Sequence, residues 1–388
     1  MNEKFDIVMF SMSPYSEWVR SHKANRNYHI LTRLTNDSRI RSILTIDFLP
    51  FTFRRAAKLW FQEQMHLHAG RTISRNLTSR LLQVSKKLYV YETVDSVISE
   101  KRLLRNIKKA VKILGFKDIL LWSYLPYFVK YFGKLSERLS VFDTVDNWAE
   151  HPSYAPYAER LRDNYSFLLG HADVIFTVTD HLAQSLFHGA PKVHYVPNGV
   201  DTDLFGTPGQ EPADLANIPH PRFGYVGVIQ QRVDFDMVQF AAINNPTSSF
   251  IFVGPIWKDA HIEKVQHLKN VYFLGQKSYE QLPSYIQHFD VGIIPHRIDA
   301  FVKSMNPLKL YEYLACGKPV ITTPVSGIEQ FSEYISVAHS QDQFSNLCSS
   351  MLKGDTPELH RMRQEAVKPH SWEKRVEDML GFIFGAIK

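Results

Sequence analysis

The sequence predicts an α/β protein built from two doubly wound, mostly parallel sheets. Three observations carry this. Short apolar runs alternate with helical patterns along the whole chain, the arrangement that gives parallel strands with helices on both faces. About a dozen such runs occur, too many for one sheet of this kind, so two Rossmann-like domains are expected. The 388 residues are enough to bury two cores.

In chain order, the first half offers FDIVMF, IRSILTIDF, LYVYETV, DILLWSY, RLSVFDTV, ADVIFTVT and KVHYVP as strands. The second offers RFGYVGVI, SSFIFVGP, NVYFLG, DVGIIP, KPVITTP and YISVAH. Between the halves, VPNGVDTDLFGTPGQEPADLANIPHP (196–221) is dense in Pro, Gly, Asn and Asp, the composition of linkers and turns. The expected division is a domain over 1–200, a second over 201–370, and a closing segment over 371–388. Within the last, SWEKRVEDMLGFIFGAI reads as an amphipathic helix that must bury one face.

The best punctuated element is SMNPLKLYEYLACGKPVITTP (304–324). Asn306 can cap a helix, and Pro307 suits its first position, where no N–H is needed. Gly317 fits a left-handed stop, Pro319 prevents continuation, and VIT reads as a short buried strand. Such a helix start favours an anion. Lys309 and Glu312, three apart, share a face; by itself such a pair also fits an ordinary surface ion pair.

Composition narrows the class. Hydrophobic residues make up 44% and charged residues 22%, as in folded globular chains. The two cysteines, Cys316 and Cys348, give neither a disulfide framework nor metal-ligand spacing, which points to a reducing cytosol. MNEKFDIVMF enters a strand directly and lacks the apolar core of a signal peptide. No apolar run approaches the ~20 residues of a spanning helix. There is no Walker-type loop and no GxGxxG, and no nucleic-acid recognition motif, so those partners are not expected.

Charge is unevenly placed. Residues 1–140 hold 25 Lys and Arg against 11 Asp and Glu, although the whole chain is only +6. Three basic stretches interleave aromatics: FLPFTFRRAAKLWF (48–61), KRLLRNIKKAVKILGFK (101–117) and YLPYFVKYFGK (124–134). The pattern suits an anionic membrane surface. The competing reading of each stretch alone is a basic helix packed on a sheet with its charges in solvent.

Ligands of doubly wound sheets lie at the carboxyl ends of strands. In the second half the loops there are GVIQQRVD, GPIWKD, GQKSYE, HRIDAFVKSMNPLK and PVSGIE. Together they suit a nucleotide diphosphate. VPNGVDTDLF (196–205) resembles the inter-domain signature of glycosyltransferases with the GT-B fold, two Rossmann-like domains facing a cleft. PLKLYEYLACGKPVITT (307–323) resembles the donor-site signature of their group 1 family, and the final SW-plus-helix is similar to the helix that crosses back onto the N-domain.

The resemblance implies transfer of a sugar from a nucleotide diphosphate sugar, UDP favoured and GDP the other option, without an essential metal or other cofactor. It implies that Glu312 meets the ribose and that Lys309 and Arg232 meet the diphosphate. The backbone around Asn306, Pro307 and Leu308 would add the helix start, Gly227 a close approach, Gly275 and Gln276 the base pocket, and Gly254 another strand end at the same place. Many relatives carry a glutamate where this chain has Ser304, so the sugar contact usual there is not supplied by a carboxylate. DFDMVQFAA (234–242) also departs from the lysine-glycine step common in the family. Both suggest a divergent branch akin to enzymes of surface-polysaccharide assembly.

The acceptor side would belong to the N-domain. FSMSPYSEWVRSHKANRNYH (10–29) stands where the family places its acceptor loop, with Glu17, Arg20, His22, Lys23 and Arg26. VFDTVDNWAEHP (141–152) ends another strand. If transfer inverts the sugar, a carboxylate must take the acceptor proton; Asp146 is the first choice and Asp143 the second. The alternative is that these acids cap the following helix. Trp18 reads as packing, and Cys316 as core. The expected activity is transfer to a lipid-linked or polysaccharide acceptor on the cytoplasmic side, peripheral to the membrane. The competing activities are a sugar-nucleotide epimerase of the same fold and a non-catalytic nucleotide-sugar-binding protein.

Overall fold

The structure is a computed structural model describing residues 4–21, 24–47, 52–64, 70–351 and 354–387. Contacts group the chain into two units. One comprises Met1–Thr177, Leu182–Val196 and Val376–Lys388; the other comprises Val178–His181 and Pro197–Arg375.

The N-terminal unit holds β1 (Phe5–Phe10), β2 (Ile40–Asp47), β3 (Arg71–Arg75), β4 (Ser79–Gln83), β5 (Leu88–Thr93), β6 (Ile119–Ser123), β7 (Leu139–Thr144), β8 (Val174–Thr177) and β9 (Val193–Tyr195). They form one sheet in the order β3-β4-β5-β2-β1-β6-β7-β8-β9. All neighbours are parallel except β3–β4 and β4–β5. That antiparallel hairpin was not expected from the sequence. Every residue of β3 is exposed, so it carries no alternating apolar signal, and its turn is set locally by the Asn76 side chain accepting from the Thr78 and Ser79 amides.

The second unit holds β10 (Arg222–Val226), β11 (Ser249–Val253), β12 (Val271–Gly275), β13 (Val291–Ile294), β14 (Val320–Thr322) and β15 (Ile335–Val337), all parallel, in the order β12-β11-β10-β13-β14-β15. Both sheets are doubly wound. The order reverses at β1 and β6 in the first and at β10 and β13 in the second, and crevices open at such switch points.

Two of the three basic stretches expected at a membrane are core elements. The helix Glu100–Leu114 is capped by Ser99 and stopped by left-handed Gly115. It buries Leu103, Ile107 and Ala110 against the sheet, and its basic residues lie on the other face. In the 124–134 stretch, Tyr124, Leu125, Phe128, Val129, Tyr131 and Phe132 are all buried. The third stretch differs. Its helix Phe53–Gln64 fixes little more than Ala56, and Phe53 and Phe61 remain 71% and 69% exposed.

The closing helix Trp372–Ala386 puts Val376, Met379, Leu380 and Ile383 into the same buried cluster as Phe5, Ile7 and Met9 of β1. An Arg39–Glu377 ion pair at 2.6 Å fastens its outer face.

Candidate functional site: a cationic cradle at the β10–β13 switch point

Three glycines end successive strands. Gly227, after β10, has φ +124 and donates its N–H to the Val253 carbonyl. Gly254, after β11, has φ +154 and donates to the Gly275 carbonyl. A Cβ on Gly254 would lie 1.9 Å from the Gly227 carbonyl oxygen, so the turn after β10 rests directly on the end of β11. No other residue allows both the angle and the approach.

The helix Leu308–Ala315 meets this turn from the other side. A Cβ on Gly227 would stand 3.4 Å from Lys309 Cε and 3.6 Å from Nζ, so the ammonium lies beside the bare backbone. It also sits 4.6 Å from the centre of the buried Tyr225 ring, a cation–π contact. The Tyr313 hydroxyl accepts from the Val226 amide at 2.9 Å, locking the helix to the end of β10. Arg232 turns into the same space: its guanidinium faces the Gln230 amide oxygen and lies 3.4 Å from Met305 Sδ.

The electrostatics follow from this crowding. Burial pushes the Lys309 ammonium down to about 7, the nearby Arg232 charge pushes it the same way, and Glu312 opposes. Burial pushes the Glu312 carboxyl up to about 7, and Lys309 pulls it back. His296, buried after β13, is held well below its usual value by burial first, then by Lys309 and Arg232. Its ring lies 3.4 Å from the Tyr225 hydroxyl. It is therefore neutral and adds no third positive charge. Among the described residues, no carboxylate lies within ion-pair distance of Lys309 or Arg232. The cradle holds two cations that repel each other, and an anion would satisfy both.

Asn306 does something other than the capping read from sequence. The helix starts one residue later, with Pro307 at the cap position and no side-chain cap bond. The Asn306 side-chain oxygen instead accepts from the Asn198 N–H at 3.0 Å, and the Asn198 amide donates to the Asn306 carbonyl at 2.7 Å. The Asn306 amide faces the Gly327 carbonyl at 3.4 Å. The two sequence signatures thus fasten each other. Ser304 is fully buried in the short turn Val302–Ser304, its hydroxyl donating to the Phe301 carbonyl at 2.7 Å. Gly275 (φ +71) has open space where a Cβ would stand, and Gln276 is exposed beside it. Leu308 is half-buried at the first turn. Asp234 caps the helix Phe235–Asn244, accepting from the Asp236 and Met237 amides.

Sequence reasoning missed Tyr225, His296, Tyr313 and Asn198. Tyr225 and Tyr313 read only as apolar positions of a strand and a helix, and His296 as one loop residue among several. Asn198 lay inside the quoted VPNGV signature, which could have flagged it.

In the N-terminal unit, Arg26 and Asp143 face each other. The Arg26 Nε lies 2.9 and 3.2 Å from the two carboxylate oxygens, with both side chains almost wholly buried. Burial raises Asp143, and Arg26 opposes. Asp146, three residues on, is half-buried, and its main-chain carbonyl accepts from the Tyr165 hydroxyl at 3.1 Å. Glu17 is half-buried and Arg20 exposed on the helix Tyr15–Ser21; Trp18 is buried between Tyr15 and Tyr28. His22 and Lys23 lie outside the described residues. Among the described residues, no cluster of three or more His, Cys, Asp or Glu could hold a metal.

Comparison with known proteins identifies one domain. Residues 220–353, which contain Gly227, Arg232, Lys309 and Glu312, match the model of the glycosyl transferases group 1 family. The second unit carries a group 1 glycosyltransferase domain. Over 396 aligned residues it is 26% identical to a Bacillus subtilis (strain 168) protein assigned to teichuronic acid biosynthesis as the glycosyltransferase TuaH, covering 95% of this chain and 96% of that one. The sucrose-phosphate synthase of Thermosynechococcus elongatus superposes with a TM-score of 0.69 at 15% identity, over 98% of this chain and 99% of that one. Anabaena Alr3699/HepE in complex with UDP-glucose superposes at 0.67 and 13%, with the same coverage. These structures establish the GT-B fold.

The Arg26–Asp143 pair generates a stability prediction. Arg26→Met should lower the melting temperature of the N-terminal unit by stranding a buried carboxylate, a cost of about 3–5 kcal/mol. Arg26→Met with Asp143→Leu should restore most of it. Equal melting of both variants would mean the ion pair is not the source.

Proposed function

We propose that this glycosyltransferase moves a sugar from a UDP-sugar to a lipid-linked or polysaccharide acceptor in cell-surface glycan biosynthesis. One observation carries the donor half: Lys309 and Arg232 converge without a carboxylate beside the bare backbone of Gly227, with Glu312 one turn along the helix. A diphosphate would lie against the two cations, and the leaving nucleotide gains negative charge as the glycosidic bond breaks, so both strengthen in the transition state. Glu312 would accept from the ribose hydroxyls. The positive charge comes from side chains, so the reading requires no resident metal. TuaH's assignment to teichuronic acid biosynthesis and HepE's complexes with UDP support the donor and the surface-glycan setting.

Among the described residues no helix is long and apolar enough to cross a membrane. A peripheral seat on the cytoplasmic face rests on the exposed helix Phe53–Gln64, whose Arg54, Arg55 and Lys58 accompany Phe53 and Phe61. If transfer inverts the sugar, Asp146 is the base, because the Asp143 carboxylate is already held by Arg26 on both oxygens.

A thermal-shift series with UDP, GDP, ADP and CMP tests the donor reading. UDP should stabilise most, and Glu312→Ala should weaken UDP at least tenfold; indifference to all four nucleotides would refute the reading. Asp146→Asn should cut turnover by about 100-fold or more while leaving the UDP shift intact. Full activity would remove it as base.

The cradle also fixes the direction of proton traffic. A diphosphate raises Lys309, which is mostly neutral at pH 8 when its value is about 7, so binding there takes up a proton. Ribose hydrogen bonds favour the Glu312 carboxylate, mostly protonated at pH 6, so binding there releases one. Calorimetry of UDP-glucose, whose diphosphate does not titrate in this range, should show net uptake at pH 8 and net release at pH 6. Lys309→Met should abolish the first and Glu312→Gln the second. The same sign at both pH values would contradict the assignment.

A further inference from the structure

One helix of the N-terminal unit carries charge that its own fold does not use. Residues 101–117 hold seven Lys and Arg and no Asp or Glu. On the helix Glu100–Leu114, Lys101, Arg105, Lys108 and Lys112 recur at i, i+4, i+7 and i+11. They stand in one row on the face opposite the buried Leu103, Ile107 and Ala110, and Lys109 flanks the row. All five cations are exposed. Among the described residues, none of the five has a carboxylate within ion-pair distance; the ion pairs of this helix belong to Glu100 and Arg102.

Like charges at i+3 and i+4 destabilise a helix, and Lys101 also faces the positive end of the macrodipole. A face that only needed to be wetted would mix both signs. The row spans about 16 Å. Its direction follows from topology. The strands β5 and β6 run parallel to β2 and β1 between them, so the helix that joins them must return from the carboxyl ends of the strands to the amino ends. Its first turn is tied to the carboxyl end of β5: Arg102 donates to the Thr78 hydroxyl at 2.7 Å and lies 2.9 Å from Asp95, just past that strand. The parallel strand β7 delivers Asp146 to the same edge of the sheet. The row therefore begins at the edge that carries Asp146 and leads down the face to the opposite edge.

We infer that this row holds a linear uronate-bearing glycan, the part of the acceptor already built, as it leads away from the strand ends. Charge complementarity selects a polyanion: cations about one helical turn apart on a straight row face carboxylates repeated along a chain. Four of the five are Lys, not the Arg fork that suits phosphate. The helix has no aromatic ring on which a nucleobase could stack. Its one exposed apolar side chain, Ile113, lies off the row, so it lacks the apolar anchors of a helix seated in a bilayer. The inference rests on the polysaccharide branch of the proposed function and gives that acceptor its charge.

An oligogalacturonate is the probe, with a neutral dextran oligosaccharide and phosphatidylglycerol-containing vesicles as separate arms. At about 0.15 M salt, wild-type protein should bind the oligogalacturonate at least tenfold more tightly than the dextran, and added salt should weaken it. Lys101→Gln, Arg105→Gln, Lys108→Gln and Lys112→Gln together should weaken it at least tenfold. A charge-matched variant at exposed cations elsewhere, Lys86→Gln, Lys134→Gln, Lys269→Gln and Arg361→Gln together, should stay within about threefold of wild type. The row variant should melt no lower than wild type, because like-charge neighbours are gone; a lower melting temperature would show that the cations serve the fold and would overturn the inference. Equal loss in both variants would reduce the binding to net charge and overturn it too. So would vesicle binding that falls with the row while oligogalacturonate binding does not. Equal binding of dextran and oligogalacturonate would leave a polysaccharide acceptor standing and remove the row from it; binding of neither glycan would remove both.

Discussion

The cradle at the β10–β13 switch point turns on Lys309 and Arg232 held close together with, among the described residues, no carboxylate within ion-pair distance of either. Lys309 and Arg232 repel, and burial makes the Lys309 charge more costly still. The surroundings allow the arrangement without cancelling it. The Tyr225 ring gives Lys309 a weak attraction worth about 0.5–2 kcal/mol. His296, kept neutral, takes part without adding charge. Glu312 attracts Lys309 from one turn along the helix. A site of this kind is unfavourable when empty and is relieved by an anion, so part of the binding energy is set before any ligand arrives.

The geometry that maintains this tension lies in backbone, not in charge. Gly227 and Gly254 let one strand-end turn rest on the next, and a Cβ at Gly254 would collide with the Gly227 carbonyl. The Asn198–Asn306 exchange and the Tyr313 hydroxyl then fix the helix Leu308–Ala315 relative to that turn. The asparagines of the two signatures, Asn198 and Asn306, are thus positioning residues. Their effect on a ligand would pass through the helix they hold.

Much of this was legible in sequence. Strands buried on both faces announce themselves as apolar runs, which is why β1, β6, β10, β11 and β13 were read where they lie. The β3–β4 hairpin was not, because its outer strand buries nothing. Lys309, Glu312 and Gly227 stood out because a helix start, an i,i+3 pair and a strand-end glycine are local patterns. Tyr225 and His296 act only through neighbours distant in sequence, and no local pattern marks them. The basic stretches show the limit most clearly. Apolar residues interleaved with Lys and Arg look alike whether the apolar face meets a sheet or a membrane. Burial separates Glu100–Leu114, whose apolar face is covered by the sheet, from Phe53–Gln64, whose Phe53 and Phe61 stay exposed.

Ser304 is built into the turn that leads to the helix Leu308–Ala315. Its side chain is short, fully buried, and committed to the Phe301 carbonyl. Its own carbonyl accepts from the Thr179 hydroxyl at 3.4 Å, so the main chain is also held from behind. A glutamate here would need to push a charged side chain out of a packed turn, at a burial cost of several kcal/mol unless a partner met it. The turn Val302–Ser304 is built for a small residue. Position 304 thus supplies no carboxylate, while Lys309 and Arg232 remain gathered at the Gly227 turn. The two ends of this segment therefore differ: Lys309 lies beside the bare turn at Gly227, and Ser304 spends its hydroxyl on its own turn.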